Sequence, residues 1–117
     1  MKRSDDLIRD MLLEFEAQDD FLVVVAPHLG MSLDQRQRWY HVELMCDAGL
    51  MTPVGKGTYR ITHQGHDFLD AMRDEGIWNR TKDAVAQSGG NATLDIIKQI
   101  AVGFLKKQIR DRTGVDL

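Results

Sequence analysis

Residues 39–51 read Trp-Tyr-His-Val-Glu-Leu-Met-Cys-Asp-Ala-Gly-Leu-Met, and residues 59–66 read Tyr-Arg-Ile-Thr-His-Gln-Gly-His. The first stretch is the end of a helix, and Gly49 is its natural left-handed stop. Leu50–Val54 and Thr58–Thr62 then have the composition of two strands. Gly55-Lys56-Gly57 joins them as a tight turn with a cationic tip. Pro53 lacks an N–H to donate, which places the first of these strands at a sheet edge. Thr62 is a capping residue for a further helix whose apolar side is Phe68, Leu69 and Met72. The order helix, strand, turn, strand, helix decides the fold.

Upstream, Ser4 caps a first helix, and Asp5 and Asp6 suit the positive end of its dipole. Leu7, Ile8, Met11, Leu12 and Phe15 recur at spacings of three and four, an apolar stripe running to about Ala17. Phe21–Val25 is short and β-branched and reads as a strand buried on both faces. Pro27 and Gly30 end it. Ser32 caps the helix Leu33–Ala48. At 100° per residue, Leu33, Gln37, Tyr40, His41, Leu44 and Ala48 share one face, and Gln35, Trp39, Val42 and Cys46 the opposite one. Both faces are partly apolar, so the Trp39 face needs a second packing partner or is a binding surface.

Downstream, Gly76 is expected to interrupt the helix that Thr62 starts. A helix carrying Trp78 and Val85 resumes from Ile77 to Gln87 and stops at Gly89-Gly90. Thr93 caps the last helix. Its stripe is Leu94, Ile97, Ile100, Ala101, Phe104 and Leu105, and Lys106, Lys107, Arg110 and Arg112 suit its negative pole. The expected class is mainly α with a small antiparallel sheet (α+β). By size the chain is a single domain, with residues 1–75 as its core and 76–117 as a helical extension that packs on the core or forms a dimer.

Composition narrows the function. The chain has 117 residues, 43% apolar and 28% charged, which is ordinary for a globular protein. No apolar run approaches the ~20 residues that cross a bilayer. The acidic start is not that of a signal peptide. A single cysteine, Cys46, excludes an internal disulfide and fits a reducing cytoplasm, where the glycosylation triplet Asn91-Ala92-Thr93 would be idle. Net charge is −3. Residues 1–50 hold five basic and ten acidic side chains, and residues 51–117 hold ten and eight. The positive excess therefore sits in the turn and at the C-terminal end.

Tyr40-His41-Val42 with Leu44-Met45 and Ala48-Gly49-Leu50 resembles the end of the recognition helix in MarR- and ArsR-type regulators. Ile61-Thr62-His63-Gln64-Gly65-His66-Asp67-Phe68-Leu69-Asp70, with Arg73-Asp74 and Ile77-Trp78-Asn79, is similar to an uncharacterised family of small bacterial and prophage proteins. The resemblance implies a winged-helix core and a frequent mobile-element setting, with no activity to carry over. One departure stands out. A helix-turn-helix needs a positioning helix before the recognition helix, and only seven residues separate Val25 from Leu33. Either the helix 33–48 is bent into two parts or the positioning helix is lost.

The candidate DNA-contacting set is Gln35, Arg36 and Arg38 at the head of the recognition helix, Lys56 at the wing tip and Arg60 on the wing strand. Arginines there can read guanine edges. Four cations per protomer give about eight in a dimer and a log–log salt slope of about −7, whereas a monomer gives half that. DNA binding thus calls for a homodimer, which the last helix could supply through Ile100 and Phe104. The competing reading is a protein-docking module for a host or phage protein, anchored by Trp39 and Val42, aromatic and apolar groups of the kind that dominate interfaces, or by Ile100 and Phe104 of the last helix. His63 and His66, with His41 and Cys46, are the only metal candidates, and their spacing demands no metal. No Gly-rich phosphate loop before a helix, no serine elbow and no paired carboxylate in an apolar setting is present. The expectation is a protein that is not an enzyme and has no cofactor.

Overall fold

A computed structural model describes residues 1–117. Helices make up about 60% of the chain, with one three-stranded antiparallel sheet. The elements are α1 (Asp5–Glu16), β1 (Val23–Val24), α2 (Leu33–Asp47), β2 (Met51–Gly55), β3 (Thr58–Ile61), α3 (His63–Met72), α4 (Glu75–Gln87) and α5 (Leu94–Thr113). They form two compact units, Met1–Leu69 and Asp70–Leu117. No helix is long and apolar enough to cross a membrane.

In the first unit, α1 starts where the Ser4 hydroxyl accepts from the Leu7 N–H, and its stripe Ile8, Met11, Leu12 and Phe15 is buried. The strands run in the order β1-β3-β2. Val23 pairs with Tyr59, and Pro53 pairs with Tyr59 from the other side. Pro53 thus sits on an edge strand, where its missing N–H costs little. The Phe21–Val25 expectation is corrected here. Only Val23 and Val24 form a strand; Val23 is buried, whereas Phe21 is 71% and Val24 73% exposed. This strand is an edge with a single covered face, not a doubly buried one.

The helix α2 is unbroken from Leu33 to Asp47, and no helix lies between β1 and α2. A capping box opens it: the Ser32 hydroxyl accepts from the Gln35 N–H, and the Gln35 side chain accepts from the Ser32 N–H. Its buried residues are His41, Val42 and Met45. The face assignment is corrected too. Leu33 is 73% exposed, and the stripe leading inward is Arg38, His41, Val42 and Met45. A histidine is fully buried here because the backbone satisfies both of its nitrogens. The Ser4 N–H donates to His41 Nε2 at 2.8 Å, and Nδ1 lies 2.8 Å from the Gln37 carbonyl, to which it donates. The ring ties the start of α1 to the middle of α2.

The Ile61-Thr62-His63-Gln64-Gly65 stretch works as a joint. Gly49 takes φ +77° and ends α2. The Thr62 N–H donates to the Leu50 carbonyl, and the Thr62 hydroxyl donates to the Gly49 carbonyl while accepting from the Gly65 N–H. A Cβ on residue 65 would lie 2.1 Å from the Leu50 carbonyl oxygen, so only glycine allows this approach. The joint holds the helix end, the hairpin base and the α3 start together.

In the second unit, the break before α4 falls at Arg73-Asp74 and not at Gly76. The Asp74 carboxylate accepts from the Ile77 N–H as N-cap, and Gly76 lies inside the first turn. Thr93 caps α5 by accepting from the Ile96 N–H, and Gly114 closes it at φ +75°. Six residues join α4 to α5, and the two helices pack together as a hairpin. Ile77, Trp78 and Thr81 of α4 and Ile97 and Ala101 of α5 are buried.

Candidate interaction surface

The site is built where α2 begins. Pro27 and Gly30 break the chain after β1, and the capping box fixes where α2 starts. Together they set the 27–31 loop against the first turns of α2. The result is an open cleft of about 580 Å³ between Pro27–Met31 on one side and Arg36 and Trp39 on the other. Leu29 is completely exposed, and Leu33, the first residue of α2, is 73% exposed outside the cleft lining. Arg36 is the one permanently charged side chain lining this cleft. It is exposed and forms no ion pair.

The loop also carries the cleft toward the hairpin tip. Gly57 takes φ +72°, and a Cβ there would lie 2.9 Å from Ala26 Cβ. The Val25 N–H donates to the Gly57 carbonyl at 2.9 Å. Lys56 therefore projects next to the point where the loop leaves β1, exposed and unpaired. Arg36 and Lys56 flank the two ends of one loop.

Of the remaining candidates, Trp39 lines the cleft with Arg36, Gln35 and Arg38 line a groove that shares His28 and Met31 with it, and the others lie elsewhere. Arg38 is ion-paired to Glu14 of α1 at 2.9 Å, on the inward side of α2. Arg60 follows Tyr59 in β3, so its side chain takes the opposite face of the sheet. Tyr59 reaches Glu43 of α2, whereas Arg60 lines a groove with Glu16, Asp19 and Asp20. The Gln35 carbonyl oxygen is spent on the cap, leaving its amide N–H groups. Val42 is fully buried and is a core residue, which removes it from any docking face. Trp39 stays partly exposed at the cleft. Ile100 and Phe104 are half-buried on α5. Sequence reasoning missed Leu29 and Met31, whose available signal was two large apolar residues in a Pro/Gly loop with no periodicity to bury them, and it read Leu33 as part of a helix face rather than as an exposed group.

Charge and acid–base chemistry are modest. The unit Met1–Leu69 holds seven basic and eleven acidic side chains, net −4. Beyond Arg36, the outward face of α2 carries Tyr40, Glu43 and Asp47. The hydrogen bond that Tyr59 donates to Glu43 at 2.7 Å pushes its pKa up to about 12, with burial and the Glu43 charge adding to this. Burial first, then Glu43 and Asp47, push the Cys46 thiol up, away from the thiolate a nucleophile needs. His66 lies 3.5 Å from Glu16, and His63 3.5 Å from Asp67. No group of three or more His, Cys, Asp or Glu side chains is arranged to hold a metal.

Comparison with known proteins places the chain in a family. Residues 2–91 match the model described as Hypothetical protein (DUF2513), and the chain belongs to that family. It is also 30% identical to an uncharacterized protein of Haemophilus influenzae (strain ATCC 51907 / DSM 11121 / KW20 / Rd), over 117 aligned residues covering 93% of this chain and 99% of that one. No solved structure matches.

Proposed function

We propose that this protein is a non-catalytic docking module with a winged-helix-like core, and that the α2 cleft holds an extended segment of a partner protein. The segment presents an apolar side chain to Leu29, Leu33 and Trp39 and a carboxylate to Arg36. The observation that carries this reading is the composition of the exposed face at the head of α2. Leu29, Met31 and Trp39 line one cleft with a single permanent cation, and Leu33 stands exposed in the first turn of the same helix, on a unit of net charge −4. Apolar and aromatic anchors around a single charged group are the usual make-up of a protein-binding hot spot. A DNA-reading helix needs a cationic surround instead.

The test is quantitative capture of partners from cells by the full chain. The reading predicts that Leu29→Ala/Leu33→Ala and Arg36→Glu each deplete the same partner at least tenfold. Lys107→Ala, outside the cleft, leaves it. A partner retained by all the cleft variants overturns the reading.

A second reading, DNA binding by a dimeric transcriptional regulator, draws on Arg36 and Lys56 flanking one loop without ion pairs. With Arg38 paired to Glu14 and Arg60 turned to the opposite face of the sheet, among Glu16, Asp19 and Asp20, two cations per protomer remain. A homodimer then gives a log–log salt slope of about −3.6, half the value expected from four. The strand order β1-β3-β2 after α1 also favours the winged-helix likeness. The missing positioning helix and the acids Glu43 and Asp47 on α2 weigh against this second reading.

A further inference from the structure

The second unit carries a cleft with different chemistry. Phe104, Lys107, Gln108, Asp111 and Arg112 recur at spacings of three and four along one face of α5. Arg80 of α4 faces them across a cleft of about 380 Å³, within the size range of small-ligand sites. Arg80, Lys107 and Arg112 are exposed, and so is Asp111. Three cations and a carboxylate line one cleft, yet no ion pair closes among them. Arg112 and Lys107 also lie in the last two turns of α5, where cations suit the helix dipole.

A bare anion site would gain nothing from the rest of the lining. Asp111 would repel an anion, and a half-buried phenyl ring and an amide offer it little. Together these groups match a ligand that joins a phosphate to a sugar and a flat base. We infer that this cleft binds a nucleotide unit, free or within a single strand. Arg80, Lys107 and Arg112 hold the phosphate by charge-assisted hydrogen bonds. The Phe104 ring stacks on the base, the Gln108 amide pairs with its edge, and Asp111 accepts from a sugar hydroxyl. The inference is independent of the α2 cleft.

Titration calorimetry on the full chain tests it with AMP, adenosine, inorganic phosphate and a short single-stranded oligonucleotide as probes. AMP or the oligonucleotide is expected to bind at least tenfold more tightly than either adenosine or phosphate. Whichever of the two binds more tightly identifies the source of the nucleotide. Lys107→Ala/Arg112→Ala, both at exposed positions, is expected to weaken binding at least tenfold with an unchanged circular dichroism spectrum. Phe104→Leu is expected to erase the preference for AMP over inorganic phosphate while leaving phosphate binding in place. Binding of both AMP and the oligonucleotide no tighter than that of phosphate, binding insensitive to the double variant, or no binding of either nucleotide probe overturns the inference.

Discussion

Arg38 and Glu14 are joined at 2.9 Å across α2 and α1, which gives the second arginine of the Arg-Gln-Arg run a carboxylate partner that Arg36 lacks. The pair is partly solvated, with 31% and 54% of the two side chains exposed. Its net contribution is therefore small, about 0.2–1 kcal/mol. A double-mutant cycle of Glu14→Ala and Arg38→Ala in urea is expected to give a coupling in that range. Partner capture should be unaffected by either variant, in contrast to Arg36→Glu.

His41 behaves differently because it is fully buried. Replacing it with leucine leaves the Ser4 N–H without its acceptor, and a buried unsatisfied donor costs about 1–3 kcal/mol. The expected outcome is a stability loss of that size in denaturant unfolding. Hydrogen exchange should show the Ser4 amide losing its protection. A neutral effect would mean that the α1–α2 tie lies elsewhere.

At the joint after the hairpin, Gly65→Ala drives a methyl carbon into the Leu50 carbonyl and within 2.7 Å of the Ile61 side chain. Overpacking against backbone is expected to cost about 3 kcal/mol or more. Thr62→Val loses one donated and one accepted hydrogen bond and is expected to cost about 1–2 kcal/mol. Thermal unfolding of the two variants should rank them in that order.

The Tyr59–Glu43 contact gives a pH signature. The fold favours the protonated phenol, so its contribution to stability is complete below the ordinary tyrosine pKa of about 10. It is lost as pH rises toward about 12. In a Tyr40→Phe background, tyrosinate absorbance should report a single phenol titrating near pH 12. Glu43→Gln should move it back toward the ordinary value.

Much of the fold was legible because local chemistry wrote it. Ser4, Ser32, Thr62 and Thr93 cap helices where their hydroxyls can reach an N–H three residues on, and Gly49 ends α2 by its own left-handed backbone. One local signal was passed over, and elsewhere legibility failed where tertiary context ruled. Gly76 drew the expected break, but the capping carboxylate of Asp74 placed it two residues earlier. The inward face of α2 was misread because its centre is a histidine, a polar residue invisible to hydrophobic periodicity until Ser4, thirty-seven residues away, is seen to bond it. The cationic set read along the chain was divided by partners that only folding brings near, Glu14 for Arg38 and the acidic groove for Arg60. Val42 was placed on a docking face by helical angle alone. Phe104 was visible in the apolar stripe of α5 and Lys107 and Arg112 among its terminal cations, but Gln108 and Asp111 were not read with them, and Arg80 joins them only through the helical hairpin.

Docking of a protein at the head of α2 is probed by a photo-crosslinking residue at Leu33 in the full chain, expressed in cells, with the same residue at Asp47 as control. A discrete polypeptide adduct is expected from position 33 that is nuclease-resistant, absent from position 47 and abolished by Arg36→Glu. A nuclease-sensitive adduct, or a polypeptide adduct unchanged by Arg36→Glu, would contradict docking there.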